Sequence, residues 1–197
     1  MSAPDIVFDL LPGYTVRPVD GPTFSAVFMS RRAEMFPESI VFDLNATLSE
    51  ADKEARSRRA AHHADDFRLR WLIEHHGTVI GWSWGYETEP ELYYMCNTAI
   101  AKEHRGKGLY TALLPHILDH CKREGFQAVF SRHNATNNAV IVPKLKAGFL
   151  ITGMELSDKH GTLVVLTKYL HEPREAVTRY RSGEKSIPKN LERHLHS

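Results

Sequence analysis

Along residues 67–74 the side chains alternate, with Phe67, Leu69, Trp71 and Ile73 apolar and Arg68, Arg70 and Glu74 polar. A period of two predicts a strand with one buried face. After His76-Gly77, Ile80, Trp82, Trp84 and Tyr86 share one face of a second strand, and Val79, Gly81, Ser83 and Gly85 share the other. The second set is small, so another backbone or a ligand approaches that face closely. A third strand over residues 92–100 completes a meander joined by short turns. Upstream, the Pro12-Gly13 turn leads into a first strand at residues 14–18, and Gly21-Pro22 opens a helix to about residue 32. Residues 34–48 are irregular, and Ser49 with Asp52 forms a capping box for a charged surface helix to about residue 64.

The period changes at residue 109. Tyr110, Leu113, Leu114, Ile117, Leu118 and Cys121 fall on one stripe of a helix over residues 109–124, closed by Gly125. Pro115 lies inside it and predicts a bend. His116 and His120 fall off the stripe and are expected in solvent, as are the pairs His62-His63, His75-His76 and His194/His196. A strand at 128–133 follows, then a short helix at 137–147 interrupted by Pro143 and stopped by Gly148. A hairpin of residues 150–156 and 162–170 completes the pattern. The fold class is α/β: a mixed, mainly antiparallel sheet of about seven strands flanked by helices.

With 42% hydrophobic residues in 197, the chain can bury a sizeable core, which excludes a fully disordered protein. The formal charge of +1 lacks the footprint of a general nucleic-acid binder. Cys96 and Cys121 form no disulfide framework. No basic start with a long apolar run and no span of membrane length is present in the sequence, so the cytoplasm is the expected location. Residues 171–197 are basic and poor in apolar side chains, which predicts a partly ordered tail.

The segment carrying chemistry is residues 100–114, where a strand ends, Arg105-Gly106-Lys107-Gly108 follows, and the amphipathic helix begins at once. Glycines let successive amides point one way, the helix dipole adds to them, and Arg105 and Lys107 can supply charge, so a pyrophosphate is the natural ligand. An ordinary Gly-rich strand-to-helix turn is equally compatible with the loop alone. A Walker loop is excluded because Lys107 is followed by Gly108 and lacks the upstream glycine, and a dinucleotide fingerprint lacks its third glycine at Thr111.

These residues resemble the GNAT superfamily of acyl-CoA-dependent N-acyltransferases. Its hallmark [RQ]xxGx[GA] is met by Arg105 to Leu109, with Tyr110 departing at the last position, and Asn137 (or Asn138) leads through a helix to a Gly148-Phe149 step. The resemblance implies an acetyltransferase domain over residues 1–170, followed by the tail, with two central strands splayed around acetyl-CoA. It assigns the pyrophosphate to Arg105, Gly106, Lys107, Gly108, Leu109 and Tyr110. The pantetheine arm goes to Thr98, Ala99 and Ile100, and Asn137 contacts it from the other side. The acceptor is a small-molecule or peptide amine meeting residues 34–48 and 158–161. No metal, membrane or nucleic-acid partner is implied, and a homodimer is left open.

An alkylamine is almost wholly protonated at neutral pH, so freeing its lone pair costs roughly 4 to 5 kcal/mol. Glu87, Glu89, Glu91 and His133 are the candidates for the base, and only one of Tyr93 and Tyr94 can face the gap, Tyr94 being the choice. The family's usual thiolate-protonating tyrosine is replaced by Lys144, whose ammonium could donate, although a lysine in so charged a segment is expected in solvent. The catalytic set is therefore Glu87, Tyr94, His133 and Lys144. Cys96 lacks an activating partner and is expected inert. A non-catalytic acyl-CoA-binding module of the same fold stays open because of Tyr110 and Lys144. Ribosome or nucleic-acid association through the basic tail is a weaker third option.

Overall fold

The computed structural model describes residues 7–37, 44–63, 65–184 and 186–194, so part of the expected acceptor segment, residues 38–43, lies outside the described residues, as do the N-terminus and His196. Eight strands form one sheet in the order β1-β2-β3-β4-β5-β6-β8-β7. They are β1 (Phe8–Leu11), β2 (Tyr14–Pro18), β3 (Arg68–His75), β4 (Thr78–Glu89), β5 (Leu92–Ile100), β6 (Ala128–Asn134), β7 (Leu150–Ser157) and β8 (Gly161–Tyr169). Every pairing is antiparallel except that of β5 with β6. The strand beyond the expected seven is β1, which folds back on β2 through the Pro12-Gly13 turn, where Gly13 takes a φ of 78°.

Helix α1 (Gly21–Met35) starts at Asp20, whose side chain accepts the Thr23 amide, and α2 (Glu50–Ala61) starts at Ser49 with the expected capping box. Phe24 and Phe28 of α1 pack on Trp84 and Trp82, covering one face of the sheet. The other face carries α3 (Leu109–Arg123), with Leu113, Ile117 and Cys121 fully buried. Its buried stripe is rotated from the expected one: Leu109 and His120 are inside while Tyr110 and Leu118 are only half-buried. The expectation of solvent for His120 is thus corrected, since its imidazole is 5% exposed among the rings of Phe67 and Trp71, and burial lowers its pKa. His116 is exposed and stacks on Phe8. Pro115 leaves the Thr111 carbonyl without an amide, yet the helix continues through it. After β6 come α4 (Asn138–Lys146), which holds Pro143 inside it, and the terminal hairpin of β7 and β8. Helix α5 (Glu172–Arg181) and the short α6 (Lys189–Glu192) follow, with Arg174 of α5 donating to the Gln127 side chain at 3.3 Å.

The small face of β4 is explained by its neighbour's backbone. A Cβ at Gly81 would overlap the Ala99 carbonyl oxygen. One at Gly85 would overlap that of Tyr94 and lie 2.7 Å from Tyr93 Cζ. Register shifts there as well: Trp84 pairs with Asn97 but Gly85 with Met95, leaving Cys96 as an extra residue that bulges β5. Gly85→Ala is therefore expected to destabilise the protein by about 2 to 3 kcal/mol, as overpacking against rigid backbone does. A urea midpoint unchanged from wild type would contradict it.

Candidate active site

Parallel pairing of β5 with β6 stops early. Leu92, Tyr93 and Tyr94 pair with Ala128, Val129 and Phe130, and beyond them each strand keeps only its outer partner, β5 on β4 and β6 on β8. The bulge at Cys96 begins where the strands part. From Met95 to Ala99 the β5 edge has no strand partner on this side among the described residues. The gap opens toward the C-terminal end of β5, where the glycine loop begins.

In that loop Gly106 and Gly108 take φ of 73° and 80°, and a Cβ at either would meet open space. Gly108 caps α3 with no side chain, and the first amide to find a main-chain acceptor is that of Ala112, on the Gly108 carbonyl at 2.9 Å. Among the described residues, the amides from Gly106 to Thr111 have no protein acceptor. They converge with the helix dipole in an arrangement that fits an anion, and Lys107 stands exposed beside them. Lys107 Nζ lies 3.4 Å from the Tyr14 hydroxyl, which also meets His104 Nδ1 at 3.0 Å.

Arg105 differs from expectation. Its amide donates to Lys102, and its guanidinium donates to the Ile100 carbonyl at 2.8 Å and the Met35 carbonyl at 3.2 Å. Its charge is spent on bracing the loop, and the Ile100 carbonyl expected for the pantetheine arm is occupied by it. Thr98 bonds the Ser83 hydroxyl at 2.8 Å, and Ala99 is buried against β4. Leu109 is buried in the core, with its amide at the helix start. Tyr110 is half-buried, and desolvation pushes its phenol above the usual range. Asn137 caps α4 through its backbone carbonyl, which accepts the Ile141 amide at 3.0 Å, leaving its exposed side chain out of the cap.

At the vertex of the gap the expectation for Lys144 is overturned. Rather than standing in solvent, it is 1% exposed, with Nζ donating to Ser131 Oγ at 2.6 Å, 3.6 Å from Met95 Sδ and 4.7 Å from the centre of the Phe149 ring. Pro143 and Leu145 flank it on α4, whose buried positions are Ile141 and Lys144. No carboxylate bonds it among the described residues, and desolvation pulls its ammonium down to about 7. Ser131 is fully buried and also contacts His133 Nε2 at 2.9 Å. Burial, then the Lys144 charge, lowers His133 to about 4, so at neutral pH it is an uncharged imidazole and too weak a base for an alkylammonium. Ser131 carries no motif, and only its position two residues before His133 on a strand could have pointed to it.

The opposite face of the vertex is aromatic. Trp84 stacks on Tyr86 at 5.8 Å, Tyr86 meets Tyr94 edge-on at 5.5 Å, and Tyr94 stacks on Phe130 at 5.0 Å. Arg132 lies over both Tyr94 and Phe130 and pairs with Glu155 of β7 at 2.9 Å. Tyr94 thus faces away from Lys144, while Tyr93 is buried packing against Phe67 and Phe126. Trp82 is core, its indole N–H donating to Asn97 Oδ1 at 2.8 Å, whereas the Trp84 Nε1 is buried without a partner among the described residues. Burial pushes the Cys96 thiol up to about 12, which keeps it protonated at neutral pH. Glu87 is not brought to the Lys144 group: its carboxylate accepts the Phe67 amide at 3.4 Å and is turned toward β3. Glu89 and Glu91 sit at the closed end of the pair, beside the turn from β4 to β5. Among the described residues no group of three or more His, Cys, Asp or Glu is placed to hold a metal ion.

A parted parallel pair, a bulge at the parting and a free-amide loop capping the next helix define an acyltransferase-type cleft. A model of the acetyltransferase (GNAT) family matches residues 34–149, more than half of the chain, and the protein belongs to that family. Solved structures agree in fold. The ribosomal L7/L12 alpha-N-protein acetyltransferase RimL in complex with coenzyme A superposes with a TM-score of 0.61 at 12% identity, covering 83% of this chain and 98% of that one. The structure of yncA from Salmonella typhimurium with its cofactor acetyl-CoA gives 0.58 at 19%, covering 81% and 95%. The ribosomal-protein-S18-alanine N-acetyltransferase from Escherichia coli gives 0.56 at 14%, covering 80% and 94%. At these identities the likeness is one of fold. No curated protein matches the chain.

Proposed function

We propose that the protein is an N-acetyltransferase that moves an acetyl group from acetyl-CoA to the primary amine of a small molecule or peptide by direct attack. The observation that carries this is the row of acceptor-free amides from Gly106 to Thr111, standing where the gap between β5 and β6 opens. Those amides and Lys107 would hold the pyrophosphate, and the free β5 edge from Met95 to Ala99 would take the pantetheine arm as a strand. Acetyl-CoA supplies an activated thioester when bound. A main-chain N–H at Met95 or Cys96, freed by the bulge, offers a donor for charge developing on the carbonyl oxygen. Lys144 is the acid that protonates the departing sulfur, in place of a tyrosine. The amine enters from the aromatic face lined by Tyr94, and because Glu87 is turned away, its proton leaves through water on that open side. Relatives in fold that act on ribosomal-protein amines support an amine acceptor. Two unpaired cysteines suit a reducing compartment, and the cytoplasm is the location that goes with this chemistry. No described helix is long and apolar enough to cross a membrane.

Release of free CoA is the direct test. A panel of polyamines, aromatic amines, amino acids and peptides with free N-termini is expected to contain at least one acceptor that raises CoA release above hydrolysis. Saturable acetyl-CoA binding with no turnover by any of them would replace the enzyme with a binding module.

A further inference from the structure

Lys144 has a problem that a tyrosine acid near the surface does not share. It is 1% exposed and packed against Met95, Ser131 and Phe149, so once it has given its proton to the sulfur it has little direct contact with water from which to recover it. Among the described residues the polar contact that leads outward is Ser131, whose oxygen lies 2.6 Å from Lys144 Nζ and 2.9 Å from His133 Nε2. Ser131 is fully buried, whereas His133 is only half-buried and sits near the end of β6, beyond the vertex. Ser131 and His133 alternate with Phe130 and Arg132 along the strand and therefore share the Lys144 face. Three groups thus make a single file from the core to the surface.

We infer that Ser131 is a positioning residue that relays protons between His133 and Lys144, so that the buried acid is recharged from solvent through the imidazole after each turnover. The proposal rests on the acetyltransferase reading above. A hydroxyl suits the middle place because it accepts and donates at once. With Lys144 charged, its N–H donates to Ser131 Oγ and the Ser131 hydroxyl donates to the Nε2 lone pair of His133. Once the Lys144 proton has passed to the sulfur, forming S–H, the neutral imidazole exchanges its Nδ1 proton for one on Nε2 through solvent, and each bond reverses: Nε2–H donates to Ser131 Oγ and the Ser131 hydroxyl donates to the Lys144 Nζ lone pair. A water proton then adds at Nδ1 of His133, the Nε2 proton moves to Ser131 Oγ, and the Ser131 proton moves to Lys144 Nζ. One proton enters and one arrives, and no group is left with a net gain. The electrostatics favour this direction, since His133 is the weaker base of the two and a proton added to its ring is driven on to Lys144. The groups facing Lys144 that could set its charge are Ser131, with His133 behind it, and the Phe149 ring.

The test uses the full chain with Ser131→Ala and Ser131→Thr. Two readouts are followed: steady-state kinetics against pH, and the titration of Lys144 by NMR of its ε-carbon in the protein without acetyl-CoA. Ser131→Ala is expected to lower kcat about tenfold with the KM for acetyl-CoA within twofold. It should also move both the high-pH fall of kcat and the Lys144 midpoint down by about one pH unit, because the ammonium loses its acceptor. Ser131→Thr keeps the hydroxyl and is expected to restore both. Equal thermal melts for the two variants show that folding is not the cause. A Lys144 midpoint that Ser131→Ala leaves in place overturns the relay, as does a threonine variant that melts like wild type but behaves like alanine. Failure of the enzyme reading looks different: wild type then turns over no amine, while the NMR titration still decides the relay.

Discussion

Replacing Lys144 by Met is expected to lower kcat by about two orders of magnitude while leaving acetyl-CoA affinity within about twofold, because protonation of the sulfur is lost and the binding loop is untouched. The pH profile should change with it. In the wild type, kcat falls as pH rises through about 7, where Lys144 loses its proton, and in the variant that fall disappears. Stability should move the other way. A lysine whose pKa drops from 10.5 unfolded to about 7 folded opposes folding by roughly 5 kcal/mol when charged. That cost is fully present below pH 7, shrinks as pH rises, and is gone above about 10.5, where both states are neutral. Methionine fills similar space without charge, so the variant should melt higher than wild type at pH 6 and the two should converge toward pH 10. A variant that is active and no more stable at pH 6 would remove Lys144 both as the acid and as a buried charge. Calorimetry at four pH values with one kinetic series decides it.

The second large effect concerns the loop. Gly106→Val together with Gly108→Val is expected to weaken acetyl-CoA binding by at least about 100-fold in titration calorimetry. Space is not the obstacle, since a Cβ at either position meets nothing within 4 Å. Conformation is: φ of 73° and 80° costs a β-branched residue about 1 to 2 kcal/mol each, and relaxing to negative φ turns the amides away from one another. Because Arg105 braces the loop from outside, the fold should survive, with a melting temperature lower by roughly 5 to 15 °C. Retained affinity in a folded double variant would falsify the anion site, and the proposed catalysis with it.

Much of the scaffold was legible in its alternation. At Phe67 to Trp71 apolar side chains alternate with charged ones, at Ile80 to Tyr86 large ones alternate with small ones although β4 is buried on both faces, and the 109–124 stripe shows the helical period equally well. The glycine loop was legible for a different reason, since only glycine accepts the φ values there. Strand β1 escaped because Phe8–Leu11 is four residues without clean alternation, and its identity comes from the partner it folds back on. His120 escaped because a stripe drawn from apolar residues alone cannot include an imidazole wrapped by Phe67 and Trp71. Lys144 was the largest miss. Between Pro143 and Leu145-Lys146 it looks like a solvated charge, and the hydroxyl that receives it, Ser131, is 13 residues away on another strand. Only tertiary packing brings them together. Arg105 was misjudged in the reverse sense, as a charge free for a ligand, because main-chain carbonyls leave no mark in a sequence.

That arginine has a consequence for the order of events. Its guanidinium clasps the last residue of α1, Met35, and the last residue of β5, Ile100, in one hand. The end of α1, which leads into the segment where an acceptor is expected to arrive, and the bend proposed to hold the coenzyme are thus tied through one side chain. Any coupling between the two sites that this tie carries would be equal in both directions, whichever substrate binds first.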